Sequence, residues 1–188
     1  MYTTRMSLME RVRDNRDEVA WQEFYDVYKS LIYRYARQRN LSDADAEEIV
    51  GQCFEKLSSE MSRFEFRPTR GKFKTWLKKL VNNKITNLLD KRRGEGLLPN
   101  SDLDARTAVA PDALWDRTWK QEVLNYCVQQ ARAKVSERNY QIFRLSVYEG
   151  WAADQIGESL GLKREQVYRA KQRVLEVVRE EMTKYLEA

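Results

Sequence analysis

The chain has 188 residues, 42% hydrophobic and 34% charged, with a formal net charge of +5, so one domain or two small packed domains are possible and disorder throughout is excluded. Histidine is absent, two cysteines alone cannot build a structural zinc site, and no GxxxxGKS/T or GxGxxG loop is present, so no metal, cofactor or enzymatic centre is expected. The positive balance suits a polyanionic partner; no apolar run is long enough to span a bilayer, and the opening MYTTRMSLMERVRDNRDEVA lacks the apolar block of a signal peptide, which leads to an expected cytoplasmic location.

Glycine and proline are sparse and β-type alternation is absent, so the predicted fold is all-α. A short helix is expected from Ser7 to Arg13, closed by the polar DNRD turn. A second, over residues 17–39, carries Trp21, Phe24, Tyr25, Tyr28, Leu31, Ile32 and Tyr35 at helical spacing, an aromatic stripe that reads as core. Ser42, with Asp45 three residues on, has the arrangement of a capping box and opens a third helix. That helix turns Ile49, Val50, Cys53, Phe54 and Leu57 inward and places Asp43, Asp45, Glu47, Glu48, Glu55 and Glu60 on an acidic outer face. A loop follows at residues 66–71, and then a fourth helix over residues 72–92 with Phe73, Trp76, Leu77, Leu80, Val81, Ile85, Leu88 and Leu89 apolar. Phe73 and Trp76 read as core before they read as platforms for bases. Between Arg67 and Arg93 there are ten Lys or Arg and a single acid, Asp90. A solvated face normally mixes signs; a single-sign face beside aromatics points to phosphate contact.

Residues 94–112 hold two of the three prolines and no helical stripe, and read as a flexible, mildly acidic linker, with five acids against two bases over residues 94–118. Such acidity suits a segment that mimics nucleic acid. Periodicity resumes with Leu114, Trp115, Trp119, Val123, Leu124, Tyr126 and Cys127. Ser136 is expected to cap a helix burying Tyr140, Ile142, Phe143 and Val147, which Gly150 ends. The expected division is therefore 1–93, a linker at 94–113, and 114–188. Both cysteines, Cys53 and Cys127, lie inside helical patterns and are expected to be reduced and buried.

The stretch ADQIGESLGLKREQVYRAKQR, residues 153–173, reads as two helices joined by a tight turn. Ile156, Leu160, Val167 and Ala170 face inward, Gly157 allows close approach, and Gly161 stands where the turn needs positive φ. Five basic residues and one acid lie between Lys163 and Arg173, as expected of a helix-turn-helix that reads the major groove. With Val167 and Ala170 inward, Arg164, Glu165, Tyr168, Arg169 and Gln172 point outward. Arginine pairs with guanine, glutamine with adenine, and glutamate accepts from cytosine. Lys163, Lys171 and Arg173 suit phosphates, which position a helix without specifying sequence. Glu165 could equally pair with Arg169 one turn on.

Taken together, these segments resemble bacterial sigma-70 factors of the extracytoplasmic-function (ECF) class, in order from Trp21 to Met182. The resemblance rests on DAEEIVGQCFEKL (45–57), RGKFKTWLKKLVNNKITNLLDKRR (70–93) and the final helix-turn-helix. It implies a region 2 domain over 1–93 that binds the polymerase clamp helices and recognises and melts the minus-ten element. It also implies a region 4 domain over 114–188 that reads the minus-thirty-five element. On this resemblance, Asn83 and Asn87 lie near a captured base, with Lys79, Lys84, Lys91, Arg92 and Arg93 holding the strand. Glu47, Glu48 and Gln52 face the polymerase. The implied partners are core RNA polymerase, through clamp helices and flap, and promoter DNA. The ending VYRAKQRVL resembles a branch associated with protein kinases, so an anti-sigma factor or kinase-linked regulator is a further implied partner.

Two positions depart from the family pattern. Gly51-Gln52 stands where a Gln-Glu or Gln-Asp pair is common, and a mid-helix glycine costs roughly 1 kcal/mol against alanine. Lys163 stands where Ser or Thr often caps, with an expected loss of about 1 kcal/mol unless a phosphate uses it. Two other readings compete: a stand-alone helix-turn-helix regulator, which usually dimerises on a palindrome, and an enzyme acting on nucleic acid, against which the missing histidine argues.

Overall fold

The computed structural model describes residues 6–63, 73–96 and 111–186. The expected loop at 66–71, the start of the RGKFK block at 70–72 and most of the expected linker lie outside them. The described residues form eight α-helices and no strand, in the order α1 (Met6–Arg11), α2 (Glu18–Gln38), α3 (Asp43–Glu60), α4 (Phe73–Gly94), α5 (Pro111–Lys134), α6 (Glu137–Val147), α7 (Ala153–Leu160) and α8 (Arg164–Leu186). None of them is long and apolar enough to cross a membrane.

The chain divides into two compact units, Met1–Glu122 and Val123–Leu186. The boundary thus falls inside α5, not in the stretch 94–113. Helix α5 also starts earlier than the expected Leu114, at Pro111, whose locked φ and missing N–H suit a first helical position.

In the first unit, α2 buries Phe24, Tyr28, Leu31, Ile32 and Tyr35, α3 buries Ile49, Val50, Cys53 and Leu57, and α4 buries Phe73, Leu77, Val81 and Ile85. Phe24 sits at the centre of an aromatic cluster, its ring centroid 4.6 Å from Tyr28, 5.7 Å from Phe73 and 6.2 Å from Phe54. Apolar area removed from water drives this packing, and edge-on ring contacts add to it. The tryptophans expected to begin the second domain instead complete this core: Trp115 meets Tyr35 at 4.9 Å and Trp119 meets Tyr28 at 5.6 Å. A helical stripe says that a face is buried but not by which neighbour.

Ser42 caps α3 as expected, accepting from the Asp45 N–H at 3.2 Å. The other half of the capping box is not made. Asp45 departs from the acidic outer face: it is 4% exposed and its carboxylate binds Arg92. Asp17 caps α2 by accepting from the Ala20 N–H at 2.9 Å and also binds Arg11 at 2.8 Å, which holds its carboxyl below the usual carboxylate range.

In the second unit, Ile142 and Leu145 of α6, Ile156 of α7, and Val167 and Ala170 of α8 form one core, with Ala153, Leu160 and Leu162 packed against it. Ser136 caps α6, accepting from Asn139 N–H at 3.3 Å. Val147 departs from expectation at 45% exposed and Leu145 takes the inward place, because the helix ends there and Tyr148 caps it. Gly161 closes α7 at φ 64°, and a side chain on Gly157 would put Cβ 2.6 Å from the Leu162 carbonyl oxygen, so both glycines are required by the turn between α7 and α8.

Candidate nucleic-acid interface

Helix α4 presents two faces. Phe73, Leu77, Val81, Ile85 and Leu88 are buried, whereas Lys79, Asn83, Asn87 and Lys91 are exposed at spacings of four along the opposite side. Lys84 is half-buried beside them. Lys79, Lys84 and Lys91 form no ion pair among the described residues, so three cations flank two amide side chains with their charges uncompensated. Trp76 is half-buried, its ring 5.8 Å from Phe73, and lies three residues before Lys79. A face of this kind offers phosphate contacts from the lysines, and donors and acceptors for base edges from the asparagines.

The other described cations of the basic band are engaged within the protein. Arg92, expected to hold the strand, binds the buried Asp45 carboxylate through both terminal guanidinium nitrogens, one at 2.7 Å. Desolvated carboxylates need such partners, and the guanidinium fork matches a carboxylate bidentately. Arg93 bonds Asp90 at 3.0 Å, one turn back. Lys74 pairs with Asp116 at 2.6 Å and Lys78 with Asp112 at 3.0 Å.

Asn82, adjacent to Asn83, points the other way. Its carbonyl oxygen accepts from the Tyr35 hydroxyl at 2.9 Å and from Arg39 Nη1 at 3.2 Å, tying α4 to α2. Nothing in the composition of the helix sets Asn82 apart from Asn83. Its signal was the 100° step between neighbours on a helix, which sends two adjacent asparagines to different surroundings.

On α3, Glu47, Glu48 and Gln52 share an exposed or half-exposed face. Gln52 Nε2 donates to Glu48 at 2.9 Å, and Glu47 lies 4.0 Å from Lys29. Gly51 lies in this helix with open space where a Cβ would stand.

In the second unit, Lys163 precedes α8, and Arg164, Glu165, Tyr168, Arg169, Gln172 and Arg173 are exposed, with Lys171 half-buried. Arg164 lies over the Tyr168 ring at 5.6 Å, donates to its hydroxyl at 3.3 Å, and approaches Asp154 of α7 at 3.7 Å. Glu165 and Arg169 form no ion pair with each other. Lys163 supplies no side-chain acceptor at the cap, but its backbone N–H donates to Gln166 Oε1 at 2.8 Å, and Ala152 does the same with Gln155 at 2.9 Å before α7. Both helices therefore begin on the glutamine half of a capping box.

No curated protein matches the chain. A family model does match part of it, over α2 from Phe24, α3 and α4, taking in every candidate residue of the first unit and none of the second. Residues 24–95 match the model of sigma-70 region 2, a domain of transcription initiation factors rather than of enzymes.

Proposed function

We propose that the chain is a sigma factor of the ECF class, a dissociable cytoplasmic subunit that binds core RNA polymerase and directs promoter-specific initiation. The observation that carries this reading is the coincidence of the matched segment with the uncompensated Lys79, Lys84 and Lys91 around Asn83 and Asn87. In this reading α3 offers Glu47, Glu48 and Gln52 to the clamp helices. The exposed side of α4 captures the opened strand at the minus-ten element, with Arg93 beside it once Asp90 is displaced.

Helices α7 and α8 then act as a helix-turn-helix at the minus-thirty-five element, and the unit that carries them meets the polymerase flap. Arg164, Glu165, Tyr168, Arg169 and Gln172 reach base edges, while Lys163, Lys171 and Arg173 hold phosphates. The stack of Arg164 on Tyr168 favours base reading, since it pre-orders a planar donor at the start of α8. Release is governed by an anti-sigma factor or a kinase-linked regulator.

The test is transcription from a promoter template by core polymerase with and without the purified chain, with permanganate footprinting of opened thymines. A new start site with chain-dependent opening is expected. An unchanged start site, together with tight binding of the chain alone as a dimer to a palindrome, would establish a stand-alone regulator instead.

A further inference from the structure

The first twelve residues of α5, 111–122, belong to the first unit and lie on α2 and α4. Trp115 and Trp119 are each 1% exposed there, against Tyr35 and Tyr28. Around them runs a charged rim: Asp116 to Lys74 at 2.6 Å, Asp112 to Lys78 at 3.0 Å, and Glu122 to Arg34 at 3.1 Å. The Lys74 ammonium also sits 5.7 Å from the centre of the Trp119 ring. Asp112 and Asp116 are one helical turn apart, as are Lys74 and Lys78, so two carboxylates on successive turns face two ammonium groups on successive turns.

A row of regularly spaced anions on a row of lysines has the chemistry of a phosphate backbone. The two carboxylates remain 79% and 57% exposed, whereas the lysines are only 24% and 25% exposed. The carboxylates lie largely in water and the ammonium groups are partly exposed, so another anion can take the carboxylates' place on the lysines. Exposed pairs of this kind are weak and screened by salt, so a polyanion competes for the lysines on favourable terms. Beneath the rim, the indole N–H of Trp115 and the hydroxyl of Tyr28 are buried without a hydrogen-bond partner among the described residues. Loosening the segment would hydrate both groups and offset part of the lost apolar contact.

We propose that Lys74 and Lys78 form a binding surface for the phosphates of single-stranded nucleic acid, which Asp112 and Asp116 of the chain itself occupy until the strand displaces them. The surface extends the exposed strip of α4 around the same helix, and the inference rests on the reading of that helix as a strand-capturing element. Residues 111–122 then act as an acidic competitor built into the unit they cover.

The experiment is fluorescence anisotropy of a labelled single-stranded DNA oligonucleotide with the full chain at low and moderate salt. Asp112→Asn with Asp116→Asn should tighten binding about tenfold at low salt, and the gain should shrink as salt rises. Two comparisons isolate the contact from net charge. Asp26→Asn with Glu55→Gln removes the same charge from exposed sites of the same unit and should give a much smaller gain. In a background of Lys74→Gln with Lys78→Gln, the aspartate substitutions should give none. An equal gain from the control pair, or a gain that survives loss of both lysines, overturns the proposal. Lys79→Gln with Asn83→Ala reports separately on the exposed strip. If wild type binds the oligonucleotide through that strip but the aspartate variants match it, the competitor is rejected and the reading of α4 stands; if no variant binds DNA, both fail.

Discussion

Arg92 Nη1 lies 2.7 Å from one carboxylate oxygen of Asp45, and Nη2 takes the other, joining the last turn of α4 to the first turn of α3. The two helices so joined are the one that carries the candidate strand-binding face and the one that carries the candidate polymerase-binding face. The pair is asymmetric, because Asp45 is 4% exposed while the Arg92 side chain is 34% exposed.

That asymmetry gives the first prediction. Arg92→Ala strands a buried carboxylate and should cost about 3 kcal/mol, whereas Asp45→Ala leaves a guanidinium that water can reach and should cost about 1–2 kcal/mol. Urea midpoints of the two variants measure the difference, and equal losses would contradict the assignment.

Asn82 and Asn83 are neighbours with opposite duties. Asn82→Ala removes the acceptor of the Tyr35 hydroxyl and should cost about 1–2 kcal/mol of stability. Asn83→Ala should change stability by less than about 0.5 kcal/mol. It should reduce open-complex formation about tenfold, roughly 1.4 kcal/mol. Thermal melts and permanganate footprints of both proteins separate the effects, and a stability loss at Asn83 would place it in the core instead.

The glycines divide by geometry. Gly157→Ala drives Cβ into the Leu162 carbonyl and should destabilise the second unit by about 2 kcal/mol. Gly161→Ala forces a side chain onto φ 64° at about 1 kcal/mol. Gly51→Ala meets nothing and should stabilise α3 by about 0.5–1 kcal/mol. If Gly51→Ala also weakens binding to core polymerase, the glycine serves close approach by the partner, since nothing among the described residues requires it.

Asp116 carries a pH signature. The hydrogen bond from Lys74 holds its carboxyl below the ordinary aspartate value. A depressed carboxylate contributes stability above its unfolded value, about 3.9, and loses it as pH falls through the folded value. Stability lost between about pH 5 and about pH 2 should therefore be smaller in Asp116→Asn than in wild type. Denaturation across that range checks the sign, and identical profiles would show that the pair contributes nothing.

Burial pushes the Cys53 thiol up to about 12, so it holds almost no thiolate at neutral pH. Native protein should leave Cys53 unlabelled by iodoacetamide and label it once unfolded, as mass spectrometry of the peptide would show.

Much of the molecule was legible from local rules. Helices, caps at Ser42 and Ser136, the positive φ at Gly161 and the close approach at Gly157 each follow from spacing and the stereochemistry of single residues. The asparagines and lysines of α4 were readable as a face because 3.6 residues make a turn. Which cations on that helix remain uncompensated was not readable, since Asp45 lies 47 positions from Arg92 and Asp112 lies 34 from Lys78.

The amino-acid sequence by itself determined the helices of the described residues, their aromatic core and the tight turn between α7 and α8, because hydrophobic period and capping act within a few residues. Only the tertiary structure decided that Trp115 and Trp119 complete the first unit, that the unit boundary falls inside α5, and that Arg92, Lys74 and Lys78 are already paired. Those outcomes depend on which buried face meets which, and on charges brought together across the fold, where desolvation makes a partner obligatory for Asp45 and open to exchange for Lys74 and Lys78.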